Sequence, residues 1–172
     1  LVAGGRLLEA ECEELFTTAP YPTRNFRHNL GDLKAQIAAN EKGARELRKM
    51  VAHYGLEVVH AYMGHVQDNA EESVRRVLDV LKDGSFTYEM DSTAKISVTI
   101  KVDKAAREAI VDFTGTAAQQ NSNYNAPSAV CMAAVLYVFR LMVDDDIPLN
   151  GGCLKPIKVI IPEGSMLNPQ YP

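Results

Sequence analysis

Between Asp112 and Pro127 the chain collects one carboxylate, the hydroxyls of Thr114 and Thr116, and the carboxamides of Gln119, Gln120, Asn121, Asn123 and Asn125. A carboxylate accepts hydrogen bonds, a hydroxyl does both, and a carboxamide offers a donor and an acceptor side by side. Such a set can hold a small polar ligand or orient a water for attack on a carbonyl. An ordinary connection has no need of so many amides. Asn125 is expected to cap the helix that follows, and Pro127 falls in that helix's first turn, where a missing N–H costs nothing. The free N–H groups of that helix would then face the loop and suit a carbonyl or anionic oxygen. The plainer reading is a capped turn whose polar groups satisfy one another.

A second polar set, Asp32, Gln36 and Asn40, is spaced four by four and forms one line along a helix. Asn150, in a Leu-Asn-Gly-Gly turn, is a further candidate. We read Asp112 and Asp32 as the catalytic carboxylates. Gln36, Asn40, Thr114, Thr116, Asn123, Asn125 and Asn150 are read as substrate-binding, with the expectation that both sets open into one cavity. The plainer alternatives are an N-cap for Asp32 and a buried, backbone-bonded amide for Asn40.

These groups need positioning elements. Arg6 to Thr17 reads as a short helix, followed by an extended stretch at Pro20 and Pro22. A long helix is expected from near Asp32 to Gly55, with Leu33, Ile37, Ala44, Leu47, Val51 and Tyr54 as its apolar stripe. A second runs from about Glu57 to Lys82, and the connection at Gly55-Leu56 is too short for anything but a helical hairpin or a sharp bend. The period then becomes two. Phe86 to Met90, Lys95 to Val102 and Glu108 to Phe113 read as strands, the last pair antiparallel, with Asp112 on the face opposite Ala109 and Val111. Ala126 to Val143 is a buried apolar helix, and Pro156 to Pro162 a final strand. The fold class is α+β: an N-terminal helical hairpin, an antiparallel sheet, a buried C-terminal helix and a last strand. Residues 1–84 are mainly helical, and 85–172 carry the strands and the buried helix.

A net charge of −4 and the lack of any basic run exclude a nucleic-acid surface. Arg140 and the polar flanks of the apolar helix argue against a membrane span. Cys12, Cys131 and Cys153 are far apart and odd in number, which points to a reducing cytoplasm; Cys153, after two glycines, is the thiol expected to be reachable. No GxxxxGK[ST] or GxGxxG offers a phosphate cradle, and no HExxH a zinc pair. Asp144 to Asp146 read as an exposed helix stop rather than a cation site.

Several blocks together resemble the hydantoinase B/5-oxoprolinase family. They are Asn29-Leu-Gly-Asp-Leu-Lys-Ala-Gln-Ile-Ala-Ala-Asn40, Asp112-Phe-Thr-Gly-Thr116, Asn123-Tyr-Asn-Ala-Pro127, Asp146-Ile-Pro-Leu-Asn-Gly-Gly-Cys153 and Ile161-Pro-Glu-Gly-Ser165 with Leu167-Asn-Pro169. Ala61-Tyr-Met-Gly-His-Val-Gln67 is similar to the 5-oxoprolinase branch. The resemblance implies the ring-opening half of an ATP-dependent hydrolase acting on a small cyclic amide such as 5-oxoproline or a hydantoin. It implies a hydantoinase A-like subunit or fused domain that binds ATP and activates the lactam carbonyl. It also implies an oligomer in full-length form, with any divalent metal held by residues upstream of this chain. On this likeness the chain is a central fragment, inactive alone. Two alternatives stand beside it: a non-catalytic docking segment of the same assembly, and part of an acetone carboxylase-like ATP-dependent carboxylase.

Overall fold

The computed structural model describes residues 1–171 and divides into two compact units, residues 1–60 and 61–172. The first opens with a two-stranded ribbon, β1 (Val2–Ala3) and β2 (Arg6–Leu7), then α1 (Glu9–Thr18) and α2 (Phe26–Tyr54). The expected first helix thus loses Arg6 and Leu7 to the ribbon. Gly4 and Gly5 lie between the ribbon's strands, both at positive φ, the backbone region that glycine adopts without steric cost. α2 begins six residues before Asp32, because Asn25 caps it: its side-chain oxygen accepts the His28 N–H at 3.2 Å. Asp32 is therefore interior to the helix and not its cap. Gly55, at φ 85°, ends α2 and donates its N–H to the Val51 carbonyl. No residue of α2 is buried; Leu47, Met50 and Tyr54 are exposed.

α3 (Leu56–Val80) continues into the second unit. There follow β3 (Gly84–Glu89), β4 (Lys95–Asp103), β5 (Glu108–Asp112), α4 (Ser128–Leu141), a 3-10 turn (Gly151–Leu154) and β6 (Ile157–Ile160). The sheet order is β3-β4-β5-β6; the first three strands are antiparallel and β6 lies parallel to β5. The α+β class holds, but the sheet is mixed. The long connection through α4 returns the chain in the same direction, as a parallel partner requires.

One core joins Ala70, Val74 and Leu78 of α3, Ala109 and Val111 of β5, Val135 and Phe139 of α4, and Ile157 of β6. Alternation does the sorting: Ala109 and Val111 enter the core, while Ile110 on the other face is 40% exposed. Burying each large apolar side chain contributes about 1.5–3 kcal/mol. α4 is buried on one face only. Cys131, Val135 and Phe139 point inward, whereas Val130, Tyr137, Val138 and Leu141 are exposed.

Ions tie the β4–β5 turn to α3. Arg107 pairs with Glu72 and Asp79, which raise its already high pKa, and Arg75 donates to the carbonyls of Ala106 and Arg107. Lys104 Nζ donates to the carbonyls of Leu78, Asp79 and Leu81, the otherwise unpartnered C-terminal end of that helix. These contacts hold β5, and so the position of Asp112 at its end. All three cysteines are buried; Cys153 is fully enclosed in the core, so the expectation of a reachable thiol is corrected. The second of the two glycines before it packs against α3 rather than opening to solvent. Among the described residues no helix is long and apolar enough to cross a membrane.

Candidate functional site

Asp112 is the last residue of β5, paired across the ladder with Thr99 on one side and Ile160 on the other. It shares the face of Ile110, away from the helices. Beyond it the chain turns sharply. Thr116 N–H donates to the Phe113 carbonyl at 3.1 Å, and Gly115 takes φ 95°, a value that a side chain would strain. The Thr114 backbone N–H donates to Asp112 Oδ1 at 2.8 Å. The Thr114 hydroxyl, and then its N–H, hold the Asp112 carboxyl below the usual carboxylate range. The group is ionised at neutral pH. It can accept a proton or a hydrogen bond, but it has no proton to give.

Thr116 fixes the turn to the sheet. Its Oγ1 accepts from the Ser97 N–H and donates to the Ser97 carbonyl, both at 3.1 Å. The β5 ladder stops at Thr99, so one hydroxyl replaces the next rung on β4. Ser97 Oγ in turn lies 3.1 Å from Thr87 Oγ1 on β3. Thr116→Val removes a partner for both backbone groups, and a loss of about 1–3 kcal/mol in urea unfolding is expected. Thr116→Ser should retain most of the stability.

The carboxamides of the loop gather around a cleft of about 760 Å³. Gln119, Gln120, Asn121, Ser122 and Asn125 form one wall; Pro169, Gln170 and Tyr171 form the other. Gln119 spans the walls: its Nε2 donates to the Gln170 carbonyl at 2.9 Å and its Oε1 accepts the Gln170 N–H at 2.7 Å. Asn125 does not cap α4, whose N-terminus has no side-chain cap. Its oxygen accepts the Gln120 N–H, and its nitrogen donates to the carbonyls of Gln120 and Ser122. The short loop between these residues captures the amide before α4 begins at Ser128. Asn123 is exposed near the loop tip. Asp112 is not among the residues that line this cleft.

Asn150 caps the 3-10 turn: Oδ1 accepts the Gly152 N–H at 2.8 Å and Nδ2 donates to the Pro148 carbonyl at 3.0 Å. Asp32, Gln36 and Asn40 are exposed on α2 in the first unit, with Asp32 Oδ2 3.4 Å from His28 Nδ1. Among the described residues no three His, Cys, Asp or Glu side chains converge as metal ligands. Ser97 and the Pro169–Tyr171 wall escaped sequence reasoning. The wall lies 51 residues from Gln119, and no local pattern links them.

The mixed sheet, with an ionised carboxylate at a strand end and an amide-lined cleft nearby in the chain, defines an α+β module. The chain belongs to the Hydantoinase B/oxoprolinase family, whose sequence model matches residues 1–172. It is 44% identical to a Dictyostelium discoideum 5-oxoprolinase over 161 residues, 87% of this chain and 12% of that protein. It is 41% identical to Arabidopsis thaliana 5-oxoprolinase 1, covering 95% of the chain and 14% of that protein. The B-type component of a putative D-/L-hydantoinase from a Pseudomonas species is 33% identical over 83% of the chain and 27% of its own length. The ATP-dependent caprolactamase of Pseudomonas jessenii shares the fold, with a TM-score of 0.74 at 24% identity over the whole chain and 30% of that structure. The chain therefore spans about an eighth of the 5-oxoprolinases it matches and less than a third of the hydantoinase component.

Proposed function

We propose that this chain is part of the ring-opening half of an ATP-dependent cyclic-amide hydrolase of the 5-oxoprolinase type. The observation that carries the reading is the ionised Asp112 carboxylate, fixed by Thr114 on the uncovered face of the sheet. Relatives named as 5-oxoprolinases and as a hydantoinase component support the substrate class. Opening a lactam needs an attacking water and leaves an amine that gains a proton. A fixed carboxylate can orient that water and stabilise the positive charge that develops on the departing nitrogen. Asp32 is the second catalytic carboxylate in this reading. Gln36, Asn40, Thr114 and Asn123 bind substrate, and Thr116, Asn125 and Asn150 act by holding their turns.

ATP is assigned to a hydantoinase A-like subunit or fused domain, within a cytoplasmic oligomer. The sequence offers it no phosphate cradle of the GxxxxGK[ST] or GxGxxG kind. No step through a nucleotide or a metal is derived for this chain. The test is lactam-dependent phosphate release with 5-oxoproline. We expect none from the chain alone, and turnover when the A-type component and the rest of the B region are supplied. Turnover by the chain alone, or none in the assembly, overturns the reading. Bicarbonate dependence of ATP hydrolysis would instead mark a carboxylase.

A docking role is favoured by one observation, the exposed Leu47, Met50 and Tyr54 on α2, which has no buried residue. In that case Leu47→Asp weakens pull-down of the A-type component before it alters turnover.

A further inference from the structure

We propose that Thr99 positions the attacking water beside Asp112, accepting the hydrogen bond that Asp112 does not. The inference rests on the cyclic-amide reading above and adds a positioning group to the same site. The register of the sheet carries it. Thr99 on β4 lies directly opposite Asp112 on β5. Residues opposite each other in an antiparallel pair share a face of the sheet, with Cβ atoms about 4.5–5.5 Å apart. A hydroxyl and a carboxylate at that separation can share one bridging water. The neighbour of Asp112 on the other side, Ile160 on β6, is apolar, so the polar partner comes from β4. Thr114 bonds the carboxylate through its N–H and its hydroxyl. A carboxylate has about four lone-pair sites, so Asp112 keeps acceptor capacity for a water.

Its place in the sheet makes the hydroxyl precise. β4 is paired on both sides, and Thr99 also faces Ser85 on β3. The residue is half-buried, and a β-branched side chain is restricted at χ1. The next residues on this face of β4 have other tasks. Lys101 Nζ lies 3.0 Å from Asp83 Oδ2, and Ser97 is bonded to Thr87 and to the Thr116 turn. A water held between Thr99 and Asp112 donates one hydrogen to the carboxylate and the other to Thr99 Oγ1. Its lone pairs then face away from the sheet, toward an approaching ring carbonyl. Thr99 itself gives and takes no proton.

The test is steady-state ring opening of 5-oxoproline by the assembled enzyme. Thr99→Val keeps the shape of the side chain and suits a strand, so folding is not threatened. The expected result is a kcat lowered about tenfold, the scale of one neutral hydrogen bond. KM for the lactam and the melting temperature should not change, because the group holds water and not substrate. Thr99→Ser, which keeps the hydroxyl, should restore most of the parent kcat. Unchanged kcat in Thr99→Val, a change confined to KM, an equal loss in the serine variant, or a loss that follows a lowered melting temperature overturns the assignment. Asp112→Asn, measured alongside, separates the two levels. Loss there without loss in Thr99→Val removes Thr99 alone, whereas unchanged turnover in both removes the carboxylate reading with it.

Discussion

In the assembled enzyme, Asp112→Asn lowers the ring-opening rate by roughly 10²- to 10⁴-fold, the usual contribution of a positioned acid–base group, while ATP binding persists. The substitution is isosteric and keeps an oxygen that can accept the Thr114 N–H, so the turn survives. What is lost is the negative charge. The measurement is steady-state turnover beside nucleotide binding; unchanged turnover would reduce Asp112 to a turn residue. The pH behaviour has a definite sign. The carboxyl is held low in the folded chain by Thr114, so its stabilising contribution is present above the unfolded value, near 4. That contribution is lost as pH falls through the folded value, and the acid limb of turnover should lie on the same side.

The second large effect is structural. A Cβ on Gly152 would lie 2.1 Å from the backbone oxygen of Gln67 and 2.8 Å from its carbonyl carbon. Backbone inside a helix cannot swing aside as a side-chain tip can. Overpacking commonly costs about 1–3 kcal/mol, and this contact, against main-chain atoms, falls at or above the top of that range. Gly152→Ala is therefore expected to lower the melting temperature by about 10 °C or more, followed by circular dichroism. Gly151→Ala, with no atom within 4 Å of its new Cβ, should melt like the parent. Equal melting of the two variants would show that the turn moves away from α3 at little cost. The pair also separates packing from ligand contact in the Leu-Asn-Gly-Gly turn. Asn150 caps that turn, Gly152 lets it approach the helix, and Cys153 then enters the core.

Local chemistry explains what was legible in the sequence. Strict alternation over Lys95–Asp103 and Glu108–Asp112 placed both strands and put Asp112 on the face away from Val111, because a strand's period is an inherent property of the backbone. The linked motifs gave the family, since each fixes residue types at fixed spacing. Helix ends were less legible. Asn25, upstream of the apparent start, won the cap, and Asn125 was drawn into its own loop. A capping residue type states what it can bond, not which nearby N–H it will reach. Tertiary structure alone decided the parallel pairing of β6, the burial of Cys153 and the contact of Gly152 with Gln67. It alone joined Gln119 to Gln170 across 51 residues. Those outcomes depend on which segments meet after the chain has closed on its core, and sequence spacing carries no record of distances across that closure.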